Sequence, residues 1–121
     1  MTRYRSISLK APNGTYVAPS VASTTAAGNT ATVSQPINAT ALPKSLLNSS
    51  APGTYPITTT TFVLTYSNYQ QAGMSKDLAG TKSFLNYAYS SAAQNALNGI
   101  GNAPLPSTIL SAAKAQVGTL H

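Results

Sequence analysis

The sequence predicts an α/β chain with an N-terminal β-hairpin, one long strand and two C-terminal helices. Three observations support this class. Polar and apolar residues alternate before an Asn-Gly pair, β-branched and aromatic residues fill the middle of the chain, and apolar residues recur at helical spacing from Lys76. The length of 121 residues is usual for one domain. We therefore expect strands in the first half and helices in the second.

Residues 2–18 are predicted to form the hairpin. The pattern has a period of two, as in a strand, because Tyr4, Ser6, Ser8 and Lys10 alternate with Arg5, Ile7 and Leu9. Pro12-Asn13-Gly14 supplies the turn, because Asn-Gly readily adopts the backbone angles of tight hairpins. Thr15-Tyr16-Val17 returns as the second strand, and Pro19 ends it.

A short helix and a connection are predicted next. Ser20 can cap a helix that runs through Ala27, and Gly28-Asn29 can end it. The residues up to Pro43 are poor in large apolar side chains, so we expect a surface connection. Leu46 and Leu47 favour a short strand within residues 44–50.

The long strand is predicted from Tyr55 to Ser67, after a turn at Ala51-Pro52-Gly53. β-Branched and aromatic residues dominate positions 57–66. The centre of this stretch is apolar on both faces, as expected of a strand that is covered on both sides. Without a partner, such a strand has unpaired edges and exposed apolar faces, which favour aggregation.

The first C-terminal helix is predicted to begin at Lys76 and to end at Gly99 and Gly101. Ser75 precedes it, and Asp77 lies in its first turn, where a negative charge suits the helix dipole. Its apolar residues are Leu78, Leu85 and Ala92 at intervals of seven, with Phe84, Ala88, Ala93 and Ala96 beside them.

A rigid corner and a last helix complete the prediction. Ala103-Pro104-Leu105-Pro106 cannot continue a helix, because proline lacks an amide hydrogen and restricts the residue before it. Ser107 is expected to cap the last helix. The apolar face of that helix consists of Ile109, Ala112, Ala113, Val117 and Leu120, with Gln116 as its polar exception.

The charge is unusual, because seven Lys and Arg accompany a single acidic residue, which gives a net charge of +6. Nucleic-acid binding requires clustered cations, since affinity comes from the release of many counterions at once. The cations do not form such a cluster: only Arg3, Arg5 and Lys10 lie close together, while Lys44, Lys76, Lys82 and Lys114 are scattered. We therefore expect no nucleic-acid partner.

The sequence offers few groups for catalysis or metal binding. It has no cysteine, its only carboxylate side chain is that of Asp77, and its only histidine is His121 at the end of the chain. General acid–base chemistry by paired carboxylates needs two of them, and a terminal histidine is poorly positioned because termini fray. We expect no enzymatic activity, no cofactor, and no catalytic or metal-binding residue in this segment.

Targeting and membrane signals are not expected in this sequence. No run of about 18 apolar residues is present, so no membrane span is predicted. Two arginines near the N-terminus are not followed by an apolar core, so we expect no signal peptide in this chain.

Three blocks, in this order, resemble the C-terminal region of phosphate-binding proteins of ABC-type phosphate transporters. The first is similar to the hairpin and following helix of that family, Asn13-Gly14-Thr15-Tyr16-Val17-Ala18-Pro19-Ser20. The second is similar to its aromatic-Pro-Ile strand, Tyr55-Pro56-Ile57-Thr58-Thr59-Thr60-Thr61-Phe62-Val63-Leu64. The third is similar to its penultimate helix and proline corner, Phe84-Leu85-Asn86-Tyr87-Ala88-Tyr89, then Gln94, then Gly101-Asn102-Ala103-Pro104-Leu105-Pro106.

The resemblance implies the C-terminal portion of a type II periplasmic-binding-protein fold, in which two α/β lobes close on the ligand by hinge motion. It implies that residues 1–54 end the second lobe, and that residues 55–121 supply a crossing strand and the helices that complete the first lobe. The hinge crossing would lie at Tyr55, Pro56, Ile57 and Thr58, where proline fixes the backbone. The family's phosphate ligands lie in parts that this sequence does not match, so no ligand-binding residue is assigned.

The resemblance therefore predicts a partial solute-binding protein for inorganic phosphate, which binds phosphate only with the N-terminal part of the fold. It implies an ABC transporter permease as partner and a periplasmic or cell-surface location. The alternative is a self-sufficient small binding or interaction module, such as a homodimer that pairs the long strand. An enzyme ranks last, for want of catalytic groups.

Overall fold

A computed structural model describes residues 5–32 and 46–121. These residues form a small mixed α/β chain with four α-helices and one two-stranded sheet. The elements in chain order are β1 (Leu9–Lys10), β2 (Tyr16–Val17), α1 (Val21–Gly28), α2 (Leu78–Ala88), α3 (Ser91–Ala96) and α4 (Ser107–Gly118), with short 3-10 turns at Ser75–Asp77 and Leu97–Ile100. The predicted α/β class is confirmed at this level.

The hairpin forms where the Asn-Gly pair predicts it. β1 and β2 are antiparallel, with Leu9 opposite Val17. Gly14 takes a φ of 88°, a left-handed conformation that glycine adopts without strain, and its amide donates to the carbonyl of Ala11 over 2.8 Å. The paired strands are two residues each, and residues 2–4 of the predicted hairpin lie outside the described part.

α1 begins and ends as the sequence predicts. The Ser20 hydroxyl accepts a hydrogen bond from the Ser23 amide over 3.0 Å, and the Ser23 hydroxyl accepts one from the Ser20 amide over 3.0 Å. This reciprocal pair is a capping box, which satisfies two amides that the first helical turn leaves unpaired. The helix ends at Gly28, with Asn29 as its C-cap.

The strand predicted within residues 44–50 is not observed in its described part. Residues 46–50 form a turn, in which Asn48 has a φ of 55° and donates its amide to the carbonyl of Pro56. Leu46 is buried, so its apolar side chain serves packing rather than a strand. The connection predicted up to Pro43 lies mostly at positions 33–43, outside the described residues.

The long strand predicted from Tyr55 to Ser67 is not realised in this chain. No β-ladder involves these residues among the described ones. A strand exists only through hydrogen bonds to a neighbouring strand, and β1 and β2 pair with each other alone. The composition of this stretch therefore fits a strand, but its own chain offers it no described partner.

The first C-terminal helix is divided, contrary to the prediction of one continuous helix. α2 ends at Ala88 and α3 begins at Ser91, where the Ser90 hydroxyl accepts a hydrogen bond from the Ala93 amide over 3.3 Å. The Ser90 side chain thus caps the start of α3, because its hydroxyl accepts a hydrogen bond from a backbone amide of the first turn. Gly101, in a left-handed conformation, ends the region as predicted.

The start of α2 also differs in detail from the prediction. Ser75 and Asp77 form a 3-10 turn before the helix, and neither side chain makes a capping hydrogen bond. Asp77 occupies the N-cap position, close to the predicted first turn.

The core lies between α2 and α4. Leu85, Val117 and Leu120 are buried together, and Leu78 and Tyr89 pack against them. The apolar face predicted for α4 is therefore confirmed at its large residues. Ser107 is the first residue of α4 rather than its cap, because Pro106 holds the N-cap position.

Gln94 fixes the proline corner to α3. Its buried side-chain amide nitrogen donates to the carbonyl of Ala88, and its amide oxygen accepts from the backbone amide of Leu105 over 2.8 Å. One polar side chain thus ties the end of α2 to the corner.

A close contact joins α1 to the same corner. A Cβ atom placed on Gly28 would lie 2.7 Å from Cγ of Pro106, which is closer than two carbon atoms can pack. The N-terminal and C-terminal parts of the chain therefore touch at a position that accepts no side chain.

Candidate partner-binding surface

The most exposed apolar stretch of the described chain is residues 57–66, here called the apolar segment. Leu64 is 88% exposed and Ile57 is 67% exposed. Phe62, Val63 and Tyr66 are also exposed. Contiguous exposed apolar residues are uncommon on monomeric proteins and usually mark a surface that another molecule covers.

The backbone of the apolar segment likewise has no partner within residues 5–32 and 46–121. None of the backbone hydrogen bonds among the described residues involves positions 57–66. Amides and carbonyls on a β-prone stretch are a template for strand pairing. Both the side chains and the backbone of this segment are therefore suited to a partner strand.

The N-terminal end of the apolar segment is anchored to α1 and to the turn at Asn48. The Tyr55 amide donates to the carbonyl of Ser23 over 3.2 Å, and the Pro56 carbonyl accepts from the Asn48 amide over 2.8 Å. The Thr58 hydroxyl donates to the carbonyl of Tyr55 over 2.9 Å.

Tyr55, Pro56, Ile57 and Thr58 are the predicted hinge residues. The structure places all but Ile57 in this bonded turn.

Thr54 strengthens this anchor from inside. Its side chain is fully buried, and its hydroxyl lies 2.8 Å from the carbonyl of Ala51 and 3.0 Å from that of Ser49. A buried hydroxyl is tolerated only when it is hydrogen-bonded, as it is here. The turn before the apolar segment is thus a defined structure rather than a loose connection.

The C-terminal end of the apolar segment is anchored by the last residue of the sequence. The His121 amide donates to the carbonyl of Ser67 over 3.1 Å, and the His121 carbonyl accepts from the Tyr69 amide. These two bonds have the pattern of a parallel β-bridge. The backbone of His121, predicted to be frayed, is therefore held on both sides.

Tyr69 organises the same end. Its side chain is buried, its hydroxyl is hydrogen-bonded to the Thr65 hydroxyl, and its ring meets that of Tyr66 edge-on at 6.0 Å. Edge-to-face contact is a favourable arrangement for aromatic rings. Tyr69 therefore holds Thr65 and Tyr66, the last two residues of the apolar segment, against the C-terminal anchor.

A lysine lies beside this C-terminal anchor. Lys82, on α2, donates from Nζ to the carbonyl of Leu120 over 2.9 Å. Leu120 directly precedes His121, so the ammonium group is held next to the bridge with Ser67 and Tyr69. The anchor thus carries a fixed positive charge.

A second exposed apolar surface lies on α2. Phe84 and Tyr87 are both about two-thirds exposed, and their spacing of three residues places them on the same side of the helix. Phe84 was predicted to share the apolar face of Leu85, which is buried. The sequence did not reveal that α2 has apolar residues on two sides.

The groups needed for anion or metal binding are not gathered at this surface. A shallow depression of about 260 Å³ is lined by Tyr66, Ser67, Asn68, Gln71 and Ala72, which carry no charge. Within the described residues, no three histidine, cysteine or carboxylate side chains lie close enough to hold a metal ion. The depression is uncharged, and the apolar segment that it adjoins at Tyr66 exposes large apolar side chains, as surfaces covered by another protein commonly do.

One ionisable group in the core is perturbed. Burial of the Tyr89 side chain against Leu85, Val117 and Leu120 raises the pKa of its hydroxyl above 10.0, because the charged phenolate is poorly solvated there.

Comparison with known protein families and with curated proteins gave no match to this chain. In the part of the chain that the structure describes, no helix has the length and apolar character needed to cross a bilayer.

Proposed function

We propose that this chain is the C-terminal part of a solute-binding protein for inorganic phosphate and that it acts in uptake by an ABC transporter. The chain binds phosphate only when an N-terminal polypeptide completes the fold. The observation that carries the proposal is the apolar segment, a strand-like stretch with neither a described ladder partner nor a cover. The resemblance of the three sequence blocks supplies the identity of the ligand.

The energetics of the apolar segment support an incomplete fold. Burial of an exposed valine, leucine, isoleucine or phenylalanine side chain contributes about 1.5–3 kcal/mol. Ile57, Phe62, Val63 and Leu64 all forgo part of this stabilisation in the chain alone. A polypeptide that supplied neighbouring strands would recover it and would satisfy the backbone of the segment too.

The anchors at both ends support the same proposal. Tyr55 is hydrogen-bonded to α1 and Pro56 to the turn at Asn48. At the other end, Ser67 and Tyr69 are hydrogen-bonded to His121. The apolar segment is therefore presented between two ordered regions, as a strand that crosses between two lobes would be. Under this proposal Tyr55 to Thr58 form the hinge crossing, and the permease and the periplasmic or cell-surface location are what the sequence resemblance implies.

Isothermal titration with inorganic phosphate tests the proposal in two steps. The 121-residue chain alone is expected to give no binding heat. The same chain, co-expressed with the N-terminal polypeptide of a phosphate-binding protein of this family, is expected to co-purify with it and to bind phosphate. The proposal would be overturned if the chain alone bound phosphate with micromolar affinity, or if the co-purified complex did not bind phosphate.

A self-sufficient interaction module is the second candidate. The core of Leu85, Val117 and Leu120 and the contact of Gly28 with Pro106 favour it, because they give the chain packing of its own. In that case the apolar segments of two copies pair with each other. Light scattering separates the candidates: a dimer with a cooperative thermal transition supports the module, and an aggregating or monomeric chain contradicts it.

A further inference from the structure

We infer that the polypeptide covering the apolar segment is acidic, and that it pairs a strand with residues 57–66 while its carboxylates meet the lysine at the C-terminal anchor. This inference rests on the proposed function, since it specifies the chemistry of the completing polypeptide. The apolar segment contains no charged residue, so any electrostatic complementarity to a partner must come from the residues around it.

The charge balance of the chain is the first support. One aspartate cannot neutralise seven lysine and arginine side chains, and the chain keeps a net charge of +6. Complementary potentials across an interface favour the right partner and raise the rate of association. A partner rich in carboxylates supplies what this chain lacks.

The position of Lys82 is the second support. Its Nζ atom is fixed by the Leu120 carbonyl, one residue from the bridge that ends the apolar segment. Positions 57–66 lead directly into Ser67, so the bridge and the ammonium group bound to Leu120 lie at the C-terminal end of the segment. A carboxylate at that end of the strand gains a charge-assisted hydrogen bond, which is stronger than a neutral one.

The charge also argues against two other occupants. A second copy of the chain would bring another net charge of +6 and only one carboxylate side chain, so the two copies repel each other. A nucleic acid would meet exposed apolar side chains where its phosphates need cations. An acidic protein strand satisfies the exposed apolar side chains, the backbone groups that have no described partner, and the charge together.

Two labelled peptides test the inference with the full chain. Each peptide has about nine residues of alternating threonine and valine, which is within the usual length of a strand. The acidic peptide carries two glutamates at each end, and the basic peptide carries two lysines at each end. In fluorescence anisotropy at low salt, the acidic peptide is expected to bind about tenfold more tightly. High salt is expected to remove most of that difference, since it screens exposed charges.

Matched variants locate the effect. Lys82→Gln is expected to lower the affinity for the acidic peptide only, whereas Lys114→Gln, which removes the same charge from α4, leaves it nearly unchanged. Leu64→Ser is expected to lower the affinity for both peptides to the same extent, because it removes apolar contact without changing the charge. Circular dichroism melts confirm that each variant remains folded.

Equal binding of the two peptides, preference for the basic one, or no binding of either would overturn the inference. Stronger binding of a labelled DNA duplex, or a dimer of the chain in light scattering, would overturn it too. None of these measurements uses phosphate, so their outcome is separate from the titration that tests the proposed function.

Discussion

The apolar segment and α4 carry similar large apolar side chains but have opposite fates. α4 and the residue pair after it bury Ile109, Val117 and Leu120, whereas the apolar segment leaves Ile57 and Leu64 in water. The difference comes from the backbone. A helix satisfies its own hydrogen bonds and needs only one apolar neighbour, which α2 provides, but a strand needs a second strand before its side chains can be buried.

The sharpest test of this comparison truncates one leucine in each region. Leu120→Ala removes a side chain that is 4% exposed in the core, and we expect it to lower the free energy of unfolding by about 2–5 kcal/mol. Leu64→Ala removes one that is 88% exposed and is expected to change it by less than about 0.5 kcal/mol. Urea denaturation followed by circular dichroism measures both. A similar loss from both variants would mean that the apolar segment is buried in the isolated chain.

A second test asks whether packing fixes the region that precedes the apolar segment. Gly28→Ala places a Cβ atom against the ring of Pro106, and we expect a loss of about 1–3 kcal/mol from overpacking. Because Ser23 of α1 accepts the Tyr55 amide, the displaced helix also loosens the N-terminal anchor.

Gly80→Ala is the matched control for Gly28→Ala. Gly80 lies in α2 with open space where a Cβ would stand, so alanine is expected to stabilise by about 0.5–1 kcal/mol. If both substitutions stabilise the chain, α1 does not rest on the proline corner.

The smallest expected effect concerns Tyr89, the tyrosine that packs on the core beside α4. Burial raises the pKa of its hydroxyl, so the folded chain holds this proton more tightly than the unfolded chain does. The corresponding stability is complete below pH 10.0, the ordinary tyrosine pKa, and is lost as the pH rises through the raised value. Denaturation midpoints across this range are expected to fall less steeply for Tyr89→Phe than for the wild type. Parallel slopes would show that Tyr89 is solvated in the folded chain.

The sequence predicted the parts of this fold that local chemistry decides. The Asn-Gly turn, the Ser20 cap, the end of α1 at Gly28 and the large apolar residues of α4 all depend on residues that are close in the chain. The break between α2 and α3 was missed, although the Ser90 hydroxyl was a local signal for it.

The composition of residues 57–66 predicted where the candidate surface lies, but not how its C-terminal end is held. Apolar residues on both faces of positions 57–66 indicated a strand that needs cover, and the exposed segment agrees with that need. The pairing of His121 with Ser67 and Tyr69 had no signal in the sequence, because it is made by backbone atoms that every residue has. The contact of Gly28 with Pro106 was not predicted either. Glycine is required at position 28 because of Pro106, which is far away in the sequence.

The bridge from His121 to Ser67 and Tyr69 has a consequence for biosynthesis. Residues 67–69 are translated before α2, α3 and α4, yet their partner is made only at position 121. A ribosome adds about 5–20 residues each second, so the apolar segment stays without its C-terminal anchor for some seconds after it is made. During that interval the exposed apolar side chains of the nascent chain are open to chaperones.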